Sequence, residues 1–151
     1  MTDNREDALV EIYNRVKDNR TELGLTSFKR TPTAPISDSD MPCLLMLEGN
    51  DGIVSSSSKT NTGYPVRRVL EVTLELVTDG DTDIKSMLRD VRRVVFTQRD
   101  TDPPLYDAKL LPNNRTGSIS ENRMKGPDGY GLPNVLGMSL VLDLVYTDAI
   151  L

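Results

Sequence analysis

The chain predicts an α+β fold, a single mostly antiparallel sheet with two helices packed on one of its faces. Three observations predict it. Residues 66–77 and 135–146 alternate apolar and polar side chains with period two, the pattern of long half-covered strands. Leu9, Ile12, Tyr13 and Val16, and later Ile84, Leu88, Val91 and Val95, recur at helical spacing. The order along the chain is helix, two or three strands, helix, short strands and a long final strand, which suits one sheet under one helix layer.

The first helix starts at Asp3, an N-cap with Glu6 three residues later as in a capping box. Its polar face carries Arg5, Glu11, Arg15 and Lys17, and it ends near Arg20, ahead of Gly24. A short extended piece over 26–30 precedes a loop over 31–41 rich in Pro, Ser and Asp. The continuous apolar run of 42–48 suits a central strand covered on both faces. Residues 50–64 hold Ser55-Ser56-Ser57-Ser58 and little to bury, and are expected as a long polar loop or a hairpin tip.

In the strand over 66–77, Arg68, Leu70, Val72, Leu74 and Leu76 share one face, and Arg67, Val69, Glu71, Thr73, Glu75 and Val77 the other. Burial of the four aliphatic residues of the first face contributes about 1.5–3 kcal/mol each before entropy is subtracted. The strand is long enough that part of it is expected to run beyond the sheet. Asp79-Gly80-Asp81 turns the chain, and residues 81–83 offer N-caps for a second helix over 82–98. Met87 and Val94 flank its apolar stripe, while Lys85, Arg89, Arg92 and Arg93 make the other face basic. The ordinary role of such a face is solvation, with pairing to Glu71, Glu75 or a neighbouring subunit. Residues 100–104 break the chain and 106–111 predict a short strand. Residues 112–133 are expected as a second long polar loop, with a short hairpin around 117–123 and a turn at Gly126-Pro127-Asp128-Gly129. In the final strand Leu136, Met138, Leu140, Leu142, Leu144 and Tyr146 alternate with Gly137, Ser139, Val141, Asp143 and Val145.

The 151 residues suffice for one ordinary domain, expected to span 1–151. Apolar residues make up 37%, low enough that neighbouring subunits are expected to order part of the chain. Net charge is −5, from 23 acids and 18 bases, so the basic excess of a freestanding duplex binder is absent. Aromatics at 5%, with no Trp, argue against a stacking platform for single strands. No apolar run of about 18 residues predicts a membrane span, and the polar, acidic start is no secretion signal. On that basis the sequon Asn114-Arg115-Thr116 reads as chance.

The absence of histidine excludes Ser-His-Asp and Cys-His catalysis and His-containing zinc sites. The one cysteine, Cys43, lies in the apolar run Pro42-Cys43-Leu44-Leu45-Met46-Leu47 and is expected as an inert core thiol. Asp79, Asp81 and Asp83 have the one-three-five spacing of a calcium loop, but Ile84 and Asp90 stand where an EF-hand needs Gly and Glu. They read as a turn feeding a helix cap. Gly126, Gly129 and Gly131 follow no strand and open no helix, so a phosphate loop is not expected. No catalytic residue, cofactor or metal site is predicted. A small carboxylate enzyme using the three aspartates with a metal is the least favoured reading.

The chain resembles the tail terminator proteins of tailed bacteriophages. The residues that carry the likeness are the helix Glu6-Asp7-Ala8-Leu9-Val10-Glu11-Ile12-Tyr13-Asn14-Arg15-Val16, the proline-led strand Pro42 to Glu48, the strand, acidic turn and helix over 70–95, and the final strand ending Leu144-Val145-Tyr146. The resemblance lies in element order over most of the chain and in no single motif. It implies a non-enzymatic virion protein, assembled in the host cytoplasm, that forms a homo-oligomeric, hexameric ring. One side of the ring would stack on the tail tube protein and stop its growth. The other would receive neck and connector proteins, with DNA passing through the lumen and a sheath protein as a further partner in a contractile tail. The long segments 50–64 and 112–133 depart from the pattern. A neck or head-completion protein is the alternative. Candidate contact residues, to a neighbouring subunit or the tube, are Glu71, Thr73 and Glu75 on the strand and Arg89, Arg92 and Arg93 on the helix; the tail Ala149-Ile150-Leu151 is a further candidate.

Overall fold

Asp3 accepts a hydrogen bond from the Glu6 backbone N–H at 2.9 Å and starts helix α1 (Asn4–Asp18) in a computed structural model describing residues 3–30, 36–56, 64–80, 83–97, 107–112, 115–129 and 135–150. The Glu6 carboxylate does not complete a capping box; it is taken by Arg30 at 2.8 and 2.9 Å. The helix stops at Asp18, and a four-residue helix α2 (Arg20–Leu23) carries the chain on to Gly24. Strand β1 (Ser27–Arg30), a 3₁₀ turn (Asp38–Asp40), β2 (Cys43–Ser56), β3 (Tyr64–Asp79), helix α3 (Ile84–Phe96), β4 (Asp107–Lys109), β5 (Gly117–Gly129) and β6 (Val135–Ile150) follow.

The six strands form one sheet in the order β1-β2-β3-β6-β5-β4, parallel between β1 and β2 and antiparallel elsewhere. This is the expected α+β class. Helices α1 and α3 lie on one face. Ala8, Leu9, Ile12 and Val16 of α1 and Ile84, Leu88, Val91, Val95 and Phe96 of α3 are buried there. They meet the inward residues of the two long strands, Leu70, Val72, Leu74 and Leu76 of β3 and Leu140, Leu142, Leu144 and Tyr146 of β6. Both alternation patterns therefore point their apolar face to the helices. Asp83 is the cap of α3, accepting from the Ser86 N–H at 3.2 Å. Asp81 lies outside the described residues.

At the start of β2 the sheet is covered on its second face too. Cys43, Leu45 and Val77 form a small cluster there, backed by Ile36, Met41, Leu47 and Val135, and the Cys43 thiol is buried. The expectation of a doubly covered strand holds for that stretch.

Three expectations are corrected. Residues 50–64 are not one polar loop: β2 runs on to Ser56 and β3 begins at Tyr64. Polar residues suffice there because that half of β2 has no strand beyond it among the described residues, and two bulges, between Glu48 and Asp51 and between Ile53 and Ser55, absorb the irregular composition. Ser57, Ser58 and Gly63 lie outside the described residues. Residues 112–133 likewise are not a loop with a hairpin: β5 pairs with β6 from Gly117↔Tyr146 to Gly129↔Leu136. Gly126-Pro127 is no reversing turn but part of an irregularity between Lys125 and Asp128, with a cis peptide bond. Glycine is needed there, because φ is +97° and a Cβ would stand 2.9 Å from the Gly137 carbonyl oxygen. Finally, β3 does not overrun the sheet; it pairs with β6 along its whole length, from Tyr64↔Ile150 to Asp79↔Val135.

Candidate functional site

The two groups of predicted contact residues fall on opposite sides of the molecule. Glu71, Thr73 and Glu75 point away from the helices, half-buried on the other sheet face. Across β6 they face Asp143, Val141 and Ser139 respectively. Glu71 and Asp143 are like charges in directly opposed positions, an arrangement that costs stability in an isolated sheet. Asn122 eases it by donating to Asp143 at 3.2 Å. Arg123 and Lys125 of β5 continue the same face, opposite Val141 and Ser139, and place cations beside the acids.

The arginines lie on the helix side. Arg89 and Arg93 are exposed on α3, whereas Arg92 is half-buried, with its Nε 2.7 Å from Glu121 Oε1 of β5. Pairing of this basic face with Glu71 or Glu75 is thus corrected: the sheet stands between them, and Arg92 of α3 meets Glu121 instead. Arg93 also lines an open polar groove of about 660 Å³ between α1, α2 and α3, with Glu11, Asp18, Glu22 and Asp90 around it. Arg15 closes the groove floor by donating to the carbonyls of Val95 at 2.7 Å and Lys109 at 3.2 Å. The side chains of Ala149 and Ile150, and all of Leu151, lie outside the described residues. The same is true of Gly131. Among the described residues no cluster of His, Cys, Asp or Glu has the makings of a metal site.

A third feature escaped the sequence reading. Where β2 bulges, Asp51 accepts hydrogen bonds from Arg5 Nε at 3.1 Å, Arg68 Nε at 2.9 Å and the Tyr146 hydroxyl. Arg5 also reaches Glu48 at 2.8 Å, and Arg30 bridges Glu6 and Glu48. Burial pushes the Asp51 carboxyl up, but the donors from Tyr146, Arg68 and Arg5 outweigh it and hold the group below the usual carboxylate range. Burial first, and then the Asp51 contact, push the Tyr146 phenol up to about 12. Arg115 adds bonds to Asn4 at 3.1 Å and Asp7 at 2.6 Å. The cluster is self-neutralising and fixes the start of α1 to β1, β2, β3 and β6. Its chemistry is that of a structural clamp. Its sequence signal is Arg68, a charge at an inward position of an alternating strand.

No family model matches the chain, and no curated protein matches it significantly. Among solved structures, the fold is similar to that of a chain in a structure described as the virion of a native gene transfer agent particle. The TM-score is 0.52 at 13% identity, over 91% of this chain and 92% of that one. At that identity the likeness is one of fold.

Proposed function

We propose that this chain is a structural subunit of a phage or phage-like virion and that it acts as a tail terminator. In this reading it forms a ring on the head-proximal end of the tail tube, stops tube growth and offers its other side to the neck, with DNA passing through the lumen. The observation that carries the reading is the fold likeness to a chain of a gene transfer agent virion, which spans nearly the whole of both chains. Element order, the property on which the resemblance to tail terminators rests, supports the finer assignment.

Two further features support an assembly role over a catalytic one. The described residues gather a group of half-buried charges into a clamp whose charges are already matched. The exposed charge is instead spread over two opposite surfaces, as a subunit with neighbours on more than one side requires. Glu71, Thr73 and Glu75 are assigned to one contact and Arg89 and Arg93 to another. Arg92, engaged by Glu121, has a lesser share.

The test is to add purified protein to polymerising tail tube protein. A terminator arrests elongation and is found at one tube end by labelled imaging. Continued elongation, with the protein bound only to connector or neck rings, would replace the terminator by the neck reading.

A further inference from the structure

Among the described residues both edges of the sheet are half covered. On one side β1 pairs only with residues 43–46 of β2, so that residues 47–56 of β2 have no outer neighbour among the described residues. On the other side β4 pairs only with residues 118–120 of β5, and residues 121–129 are likewise open. Unpaired strand edges are templates for another strand. The open half of β2 also carries the two most exposed large apolar residues among those described, Ile53 at 63% and Val54 at 57%.

We infer that these two half-edges are complementary and that the open half of β2 in one copy pairs with the open half of β5 in the next. Directions agree: β2 runs with β6 and against β5, so copies in the same orientation meet as antiparallel neighbours. The open halves lie at opposite ends of the sheet, so the pairing requires a step. Gly52 stands across from Val69 of β3, whereas Lys125 stands across from Ser139, which faces Glu75. The offset is therefore six residues along β3, roughly 20 Å of strand.

The step also sets the geometry of the assembly. Each copy contributes four strands, β2, β3, β6 and β5, so with the new pairing the repeat from one copy to the next is four strand spacings, about 19 Å. A rise of about 20 Å over that width tilts the strands by roughly 45°, at the upper end of the ~35–45° found in closed barrels. The contact is head-to-tail, the type that closes into rings. This inference deepens the ring reading given above and rests on it.

Cysteine substitution tests it in the full chain. Gly52→Cys and Lys125→Cys are both on the helix-free face, a Cβ at Gly52 meets open space, and Lys125 is exposed. The buried native Cys43 is the internal control. Treated with a short bismaleimide, the double variant is expected to give a covalent ladder in steps of 16.8 kDa, ending at the ring. Each single variant alone should stay uncrosslinked, and an equimolar mixture of the two should stop at the dimer. Closed oligomers by native mass spectrometry without a ladder, also with Arg123→Cys in place of Lys125→Cys, would overturn the edge pairing and leave the ring reading intact. Absence of both oligomers and cross-links, alone and with tail tubes, would overturn both.

Discussion

Asp51 is the residue on which the charged clamp turns, since Arg5, Arg68 and Tyr146 all converge on its carboxylate. Its folded pKa is lowered, so its contribution to stability is present above the unfolded value near 4 and is lost as pH falls through the folded value. Glu6, lowered mainly by the hydrogen bonds from Arg30, acts in the same sense. Tyr146 acts in the opposite sense: raised to about 12, it contributes fully below the unfolded value near 10 and loses that contribution as pH climbs to about 12. Thermal unfolding followed against pH should show a plateau with both shoulders. Asp51→Asn should shrink the acid shoulder and Tyr146→Phe the alkaline one; unchanged shoulders would show that the clamp contributes nothing in solution. A second residue-scale expectation concerns Gly126. Its φ of +97° and the 2.9 Å approach to Gly137 make Gly126→Ala costly by about 1–3 kcal/mol, readable as a lowered denaturation midpoint. Asp51 was not marked by its sequence neighbourhood, and Gly126 was marked only as part of a turn. The clamp joins residues up to 111 positions apart, and such pairing has no local period to betray it.

At the scale of elements, most of what the fold contains was written in periodicity. The inward sets of β3 and β6 were assigned residue by residue from alternation, and all of Leu70, Leu74, Leu140, Leu142 and Leu144 are fully buried. The helices were found by their stripes, and Asp83 by its position ahead of one. Leu142→Ala, in the centre of β6, should cost about 2–5 kcal/mol in chemical denaturation, because the hole it leaves lies between two helices and the sheet. A cost near zero would mean that β6 is not a central strand. The elements that went unread are the outer halves of β2 and β5. Both lack a run of alternating apolar residues, meeting the helices partly through charged contacts such as Arg5–Asp51 and Arg92–Glu121, and both carry glycines that normally signal turns. Backbone hydrogen bonding to β3 and β6, which leaves no trace in side-chain pattern, decides their structure.

For the whole molecule, the arrangement separates two surfaces by the thickness of the sheet and helix layers. Sequence reasoning grouped Glu71, Thr73, Glu75, Arg89, Arg92 and Arg93 as contact residues but had no means of knowing that they lie on two sides, since layer order emerges only from the folded sheet. The separation sharpens the mutational test. Arg92→Glu disturbs the contact with Glu121 within the chain, so that any assembly defect would be confounded with folding. Arg93→Glu does not share that contact, and it should leave the unfolding midpoint within about 0.5 kcal/mol while weakening assembly. Unimpaired assembly of Arg93→Glu would remove the α3 face from the interface.

The central claim, that this chain is a ring-forming subunit that ends a tail tube, is tested most directly by the mass of the purified protein in solution, alone and mixed with tail tubes, followed by negative-stain imaging. The account predicts closed rings of six with an open centre, or protein confined to one end of each tube. A monomer at every concentration that ignores tube ends would contradict it.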